Sequence, residues 1–432
     1  MLCRLSSYRA TRFAAFIIAL LFSSSPRSTF AQAGTPAANP APQASPATTP
    51  QPSAALMGEP GFLSSAIGFA SQFGDQNGSR KSGFYPEVSN MITGAGWLAI
   101  GPGYRRYFDN DRWMFDTSAA VSWHLFTMGQ ARIERQQLAG GHLTLGSLVW
   151  WQDNTQVNFF GVGPDVSDDD RSQYRMETTD IVGYATLTPT ESLTIAGEVG
   201  WLGRPKLMDP GGTFKPDVPS TLEAFPTVPA ANLSEQPELL HSEASIMSDT
   251  RDHRGYPTSG HMYRGALTNY WDTDGPFSFH TWEAEGLKYV PLSDARVVLA
   301  FHGWTVYSNP SEDIPFYLLP TMGGNRTNRA FHNFQFHDNS LLVVQAESRF
   351  AVWEHMDAAL FVDTGNVAPH YSDLNLDQRS YGAGVRVHTE KTTFARFDVA
   401  HGHEGWRVVF STSEPFRLPR VRRIPAIVPF FP

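Results

Sequence analysis

From about Ile92 onward, apolar and polar residues alternate with a period of two, in segments of roughly ten to fifteen residues rich in Val, Leu, Phe, Tyr, Trp and Thr. In Thr392–His401, Ala395, Phe397 and Val399 share one face, and Arg396 and Asp398 share the other. Leu341–Trp353 repeats this arrangement, with Val344, Ala346, Phe350 and Val352 opposed to Gln345, Glu347 and Arg349. Side chains of a strand point alternately to its two faces, so each segment predicts a strand with one apolar and one wet side. Gly, Pro, Asp and Asn separate the segments, and fourteen strands are readable, from Ile92–Tyr107 and Arg112–Gln137 to Trp406–Phe416. A few of them, Ala295–Tyr307 among these, alternate poorly.

Loop length adds a direction. Short turns such as Leu138–Gly141, Pro189–Ser192, Pro291–Asp294 and Glu354–Asp357 alternate with long connections such as Val157–Gln173, Arg204–Pro237 and Ser308–Ser340. Outer-membrane barrels segregate loop length by side in this way, with short periplasmic turns and long outer loops. A basic group facing lipid at mid-depth costs about 2 to 4 kcal/mol, so the polar faces belong to the lumen. The fold class expected is all-β, a transmembrane antiparallel β-barrel. Tryptophans and tyrosines near strand ends, including Trp97, Tyr104, Trp113, Trp150, Trp201, Tyr270, Trp271 and Trp406, suit interfacial girdles.

The ends of the chain read differently. Arg4, Arg9 and Arg12 precede the apolar run Phe13–Phe22, and Ala31-Gln32-Ala33 supplies a small-x-small box, so residues 1–33 are expected to be a removed signal peptide. Residues 34–60 form an Ala/Pro-rich leader too poor in large apolar groups to pack. Residues 61–91 fit a short amphipathic helix, with Phe62, Leu63, Ala66, Ile67, Ala70 and Phe73 on one side, or else an extra strand or strand pair. The barrel is expected over 92–416, followed by a basic, proline-rich tail over 417–432.

Charge and cysteine narrow the class. The formal charge is −9 for the whole chain. It becomes more acidic once the arginine-bearing leader is gone, which gives no support for nucleic-acid binding. The single cysteine, Cys3, lies in that leader, so neither a disulfide nor a thiolate metal site is expected beyond it. GxSxG, HExxH, a phosphate-binding glycine loop and an EF-hand pattern are all missing, and His401 and His403 lack a third ligand. No enzyme activity, cofactor or metal is expected.

Three motifs follow in fixed order in the last third: Gly323–Phe331 (GGNRTNRAF), Gln345–Phe350 (QAESRF) and Ala359–Asn366 (ALFVDTGN). A guanidinium inside a lumen needs carboxylates for bidentate hydrogen bonds and can rest on an aromatic face. By strand parity Glu347 and Asp363 point inward from adjacent strands, and Phe361 shares the face of Asp363. Arg329, Phe331, Glu347, Arg349, Phe361 and Asp363 are therefore the candidate cluster that ties a long outer loop into the lumen.

These motifs resemble the bacterial surface antigen barrel of the BamA/TamA outer-membrane assembly superfamily. The family's arginine-glycine-aromatic loop tip is matched by Arg329, Ala330 and Phe331, its acidic residue beside an arginine by Glu347 and Arg349, and its Phe-x-Asp-x-Gly by Phe361, Asp363 and Gly365. Asp249–Gly260 is similar to its periplasmic turn, with Asp249, Arg251, Pro257 and Gly260 at the motif positions. Phe416 matches the terminal aromatic of the barrel's last strand. The resemblance implies sixteen strands, the missing pair coming from Gly61–Asn90. It also implies the outer membrane of a Gram-negative (diderm) bacterium, contact with outer-membrane lipid, and unfolded outer-membrane proteins or lipid as clients. Two departures stand out: Ala330 replaces the tip glycine, and the stretch before the barrel is too short for the family's periplasmic POTRA modules.

The function the resemblance implies is insertion or translocation of polypeptide or lipid at the outer membrane. The alternative is a passive pore or surface structural barrel without assembly activity. Gly94, Gly96, Gly101, Pro102 and Gly103 make Ile92–Tyr107 suit either a poorly paired seam of the kind a lateral gate requires or a proline bulge near the outer rim.

Overall fold

The computed structural model describes residues 60–61, 82–89, 99–212, 217–233, 235–293, 296–309, 311, 313–411 and 414–416. The signal-peptide and leader readings, the helix reading over 61–73 and the basic tail lie outside these residues. Nineteen strands occur among the described residues, in chain order. The first six are β1 (Gly83–Ser89), β2 (Ala99–Phe108), β3 (Trp113–Ser122), β4 (Thr127–Leu138), β5 (Leu143–Phe159) and β6 (Ser172–Thr190). Then come β7 (Leu193–Leu202), β8 (Lys206–Met208), β9 (Leu239–Asp249), β10 (Gly260–Asp272), β11 (Phe279–Leu292) and β12 (Val297–Ser308). The last seven are β13 (Thr321–Met322), β14 (Phe336–His337), β15 (Ser340–Trp353), β16 (Met356–Ala368), β17 (Gln378–His388), β18 (Thr393–Gly402) and β19 (Gly405–Ser411).

Sixteen of these make the barrel wall. Each pairs antiparallel with the next, from β1 through β7, then β9 to β12, then β15 to β19. β8 is a short addition to the upper part of β6, and β13 pairs with β14 inside the loop between β12 and β15.

The wall has two strands more than the fourteen readable ones, and only one of them, β1, comes from Gly61–Asn90. The other appears because Arg112–Gln137, read as one strand, is the hairpin of β3 and β4. Its turn closes with Ser122 N–H donating to the Phe126 carbonyl at 2.8 Å and Phe126 N–H to Ser122 Oγ at 3.2 Å. Leu125 takes a φ of 63° there. Left-handed backbone is ordinarily left to Gly or Asn, so a turn spelled Trp-His-Leu carries no signal.

The two faces of the wall are inverted relative to a soluble protein. Large apolar side chains such as Val199, Ile246, Leu360, Val362 and Val408 lie outward and exposed, while Asp116, Glu134, Asp180, Glu347 and Asp398 are buried inside. That is the distribution a bilayer selects, with lipid meeting the apolar band and ions kept in the lumen. Trp123, Trp271, Trp282 and Trp406 stand exposed at the long-loop end, as a girdle requires. Trp150 and Tyr270 do not join it, because both are buried on the inner face.

β12, which reads poorly as a strand, alternates inside and outside along its whole length. Its inner face is apolar because Trp304 and Val306 pack on Met322, Phe331 and Phe336 of the loop that fills the barrel. A second apolar cluster roofs the long-loop end. There Phe159 and Tyr174 of the tall β5–β6 hairpin meet Ala230, Ile314, Phe316, Tyr317 and Phe334 of two long loops.

Candidate lumenal lock

The loop between β12 and β15 descends into the lumen, and local chemistry shapes its tip. Gly323 and Gly324 take φ values of 120° and 89°, and a Cβ on Gly323 would sit 2.2 Å from the His332 carbonyl. Only glycine fits that turn. Thr327 Oγ accepts from Gly323 N–H at 2.8 Å, and Gly324 N–H donates to the Asn328 carbonyl at 3.0 Å, which closes the tip. Ala330 does not enter the left-handed region, so the position takes a Cβ without backbone strain.

Arg329 points from this tip into the wall. Its Nε donates to Asp363 Oδ2 and its Nη2 to Asp363 Oδ1, both at 2.8 Å, and its own backbone N–H reaches Asp363 Oδ2 at 3.1 Å. Nη1 donates to Glu347 Oε2 at 2.8 Å and lies 3.4 Å from Asp398 Oδ2. The guanidinium carbon stands 3.4 Å from the Phe361 ring centroid. Burial works against the charge, but Asp363, Glu347 and Asp398 outweigh it and hold Arg329 protonated well above the ordinary arginine range.

Two further arginines complete the cluster, and neither was grouped with it by sequence. Arg386 on β17 donates through Nη2 to Glu347 Oε2 at 2.7 Å and through Nη1 to Asp398. Arg396 on β18 donates through Nη2 to the Asn325 carbonyl at 2.9 Å, a second tie to the loop. Three guanidiniums thus face three carboxylates, all at or below 3% exposure. The balance matters, since an uncompensated charge at this depth is strongly destabilising. Period-two parity already set Arg396 and Asp398 inward. What it lacked was the tilt that lines β17 and β18 up beside Glu347.

Phe331 lies next to Arg329 but serves the apolar side. Its ring packs edge-on to Phe336 at 5.1 Å and near His403 at the same distance.

Arg349 is not part of this cluster. It donates to the Pro257 carbonyl and lies over the Tyr256 ring at 5.0 Å, on the short-turn side of the cluster. Two residues further along β15 than Glu347, it keeps the same face but sits more than 6 Å nearer the short turns.

That second cluster is built on the β9–β10 turn. Arg251 holds Asp249 by two donors at 2.9 and 3.0 Å, and Arg254 adds a third contact at 3.0 Å. Gly260, at φ 94°, closes the turn where a Cβ would lie 2.3 Å from the Thr250 carbonyl. The tip crosses to the opposite wall: Tyr256 stacks on His388 at 3.7 Å and donates to Asp357 Oδ2 at 2.7 Å, and Thr393 N–H donates to the Gly255 carbonyl at 2.9 Å. The turn therefore floors the barrel as the loop fills it.

A model of the Omp85 superfamily domain matches residues 110–405. The chain belongs to the Omp85 superfamily. Its barrel is similar in fold to BamA from Haemophilus ducreyi lacking POTRA domains 1–3, at 14% identity and a TM-score of 0.54, covering 76% of this chain and 69% of that one. CdiB from Acinetobacter baumannii matches at 13% identity and a TM-score of 0.46, covering 76% of this chain and 58% of that one. No curated protein sequence matches the chain. The Omp85 barrel is thus an outer-membrane protein of a Gram-negative bacterium. The loop-length rule for such barrels puts its short turns on the periplasmic side and its long loops outside.

Phe416, matched in sequence to the end of an Omp85 barrel's last strand, is not on a strand. β19 ends at Ser411, and Phe416 is buried in the lumen beside Met247, Met262 and Leu287.

Proposed function

We propose that this Omp85 barrel inserts polypeptide into the outer membrane at the seam between β1 and β19. The observation that carries the reading is the state of these two strands. They are the ends of the ladder, they are the shortest of the sixteen wall strands at seven residues each, and no ladder joins them among the described residues. β1 is also poorly held from behind. Pro86 faces Pro102 across the β1–β2 ladder, so a donor is missing on both strands at one point, and the β2–β3 pairing is interrupted at Gly101 and Pro102. Of the two readings of Ile92–Tyr107, seam or proline bulge, this proposal takes the seam and moves it one strand earlier, to β1, with β2 as its loose support.

Unpaired backbone groups in hydrocarbon cost several kcal/mol each, so an incoming strand gains most where the wall pairs least. This favours a polypeptide client that pairs by its own edge. A passive pore has less behind it, because the Arg329 loop fills the lumen from outside and the Tyr256 turn floors it from the periplasm. The reading requires no catalytic residue. It is tested with purified barrel in liposomes: faster folding of an unfolded client barrel supports it, and steady large conductance without that acceleration supports the pore.

A further inference from the structure

Beyond β19 the chain is described again at residues 414–416. These residues, Glu414, Pro415 and Phe416, dock on the far wall, on strands five to eight places round the ladder from β19. Phe416 is 3% exposed and fills an apolar recess of Met247, Met262, Leu287, Tyr289, Val298 and Ala300, with the His302 ring 5.2 Å away. Glu414 is equally buried. Its Oε1 accepts from the Tyr289 hydroxyl at 3.0 Å and its Oε2 from the Phe416 N–H at 2.8 Å. The Arg349 and Arg251 guanidiniums lie close enough to attract its charge.

These contacts have the form of a ligand in a site rather than of a strand end. The recess is an apolar patch beside a phenol and two guanidiniums, and it takes one aromatic side chain five residues beyond the last ladder position, Ser411. The geometry points to a peptide-binding site at the periplasmic end of the lumen, selective for an acidic residue followed two places on by phenylalanine. The occupant is the chain's own C-terminal segment. Filling the site in cis ties the free end of β19 to β9–β12, so the tail holds one side of the seam from within.

The test uses a barrel ending at Ser411 and a fluorescent peptide covering residues 411–420. Burial of one phenylalanine side chain is worth roughly tenfold to a hundredfold in affinity. Anisotropy should therefore show the peptide binding the shortened barrel, binding the full chain at least about tenfold more weakly, and losing about tenfold or more as its Phe416→Ala version. Equal binding to both barrels, no binding to the shortened one, or equal binding by the alanine peptide would overturn the site. Should the shortened barrel not fold, the full-length Phe416→Ala barrel replaces it in the same titration. Independently, Glu414→Cys with Tyr289→Cys in a Cys3→Ser chain should be bridged by a short bifunctional thiol reagent, giving a cross-link visible by gel mobility. Failure to form it would contradict the docking itself. Neither readout depends on client folding, so this inference and the insertion reading fail separately.

Discussion

Asp363 meets Arg329 through both of its carboxylate oxygens and also accepts the backbone N–H of the same residue, so one side chain fixes both the head and the root of the loop arginine. Three hydrogen bonds to one carboxylate, all fully buried, make the loop's position part of the wall rather than an adjunct to it.

Arg329→Ala is expected to release the loop, because it leaves Asp363 and Glu347 buried without their shared cation. Breaking such a buried pair costs about 3 to 5 kcal/mol. The outer loop should become protease-sensitive and the thermal unfolding of the barrel should fall. Arg329→Lys should rescue little, since an ammonium cannot make the two-point contact. If the loop in Arg329→Ala resists protease as the parent does, the lock is not what holds it.

Arg329→Ala combined with Asp363→Ala should be less damaging than the two single changes added together. Residues that share one buried network couple by about 0.5 to 3 kcal/mol. Strict additivity of the unfolding shifts would show that the pair does not act as a unit.

The turn under the barrel makes a different prediction. Gly260→Ala places a Cβ against the Thr250 carbonyl in a backbone region closed to side chains, a strain of about 1 to 3 kcal/mol. The turn should lift from Tyr256's partners His388 and Asp357, which is measurable as faster hydrogen exchange at residues 250–259. Unchanged exchange would mean that the floor tolerates the strain.

Acid should loosen the outer loop. Burial drives His337 down to about 3 from an ordinary 6.5. Burial and then Arg407 drive His332 down to about 4, against the pull of Asp168 at 2.9 Å. Both imidazoles are thus neutral when folded and protonate more readily when unfolded. Their contribution is fully present above the unfolded value near 6.5 and is lost progressively as pH falls from there towards the folded values. Cleavage of loop 309–339 should accelerate between about pH 7 and about pH 5, and less so in His337→Phe. A flat profile over that range would refute the assignment.

Much of this could be read in the sequence, for identifiable reasons. Glu347 and Asp363 were placeable because β15 and β16 alternate cleanly, and Arg329 because two glycines announce its turn. Arg386 was harder, since its partner Glu347 is two strands away and strand tilt is not written in spacing. Leu125 hid a hairpin by taking a glycine's conformation. Phe416 was misplaced because an aromatic after an alternating run looks like the next strand position, and nothing local says that the chain has already turned inward.

The claim at the centre is that the β1–β19 seam is where insertion occurs. Phe84 and Phe410 both face lipid near the periplasmic ends of these strands. Phe84→Cys with Phe410→Cys, bridged by a thiol-reactive spacer in a Cys3→Ser chain, should abolish the acceleration of client-barrel folding in liposomes, and cleaving the spacer should restore it. Undiminished acceleration with the seam fully bridged would contradict the claim.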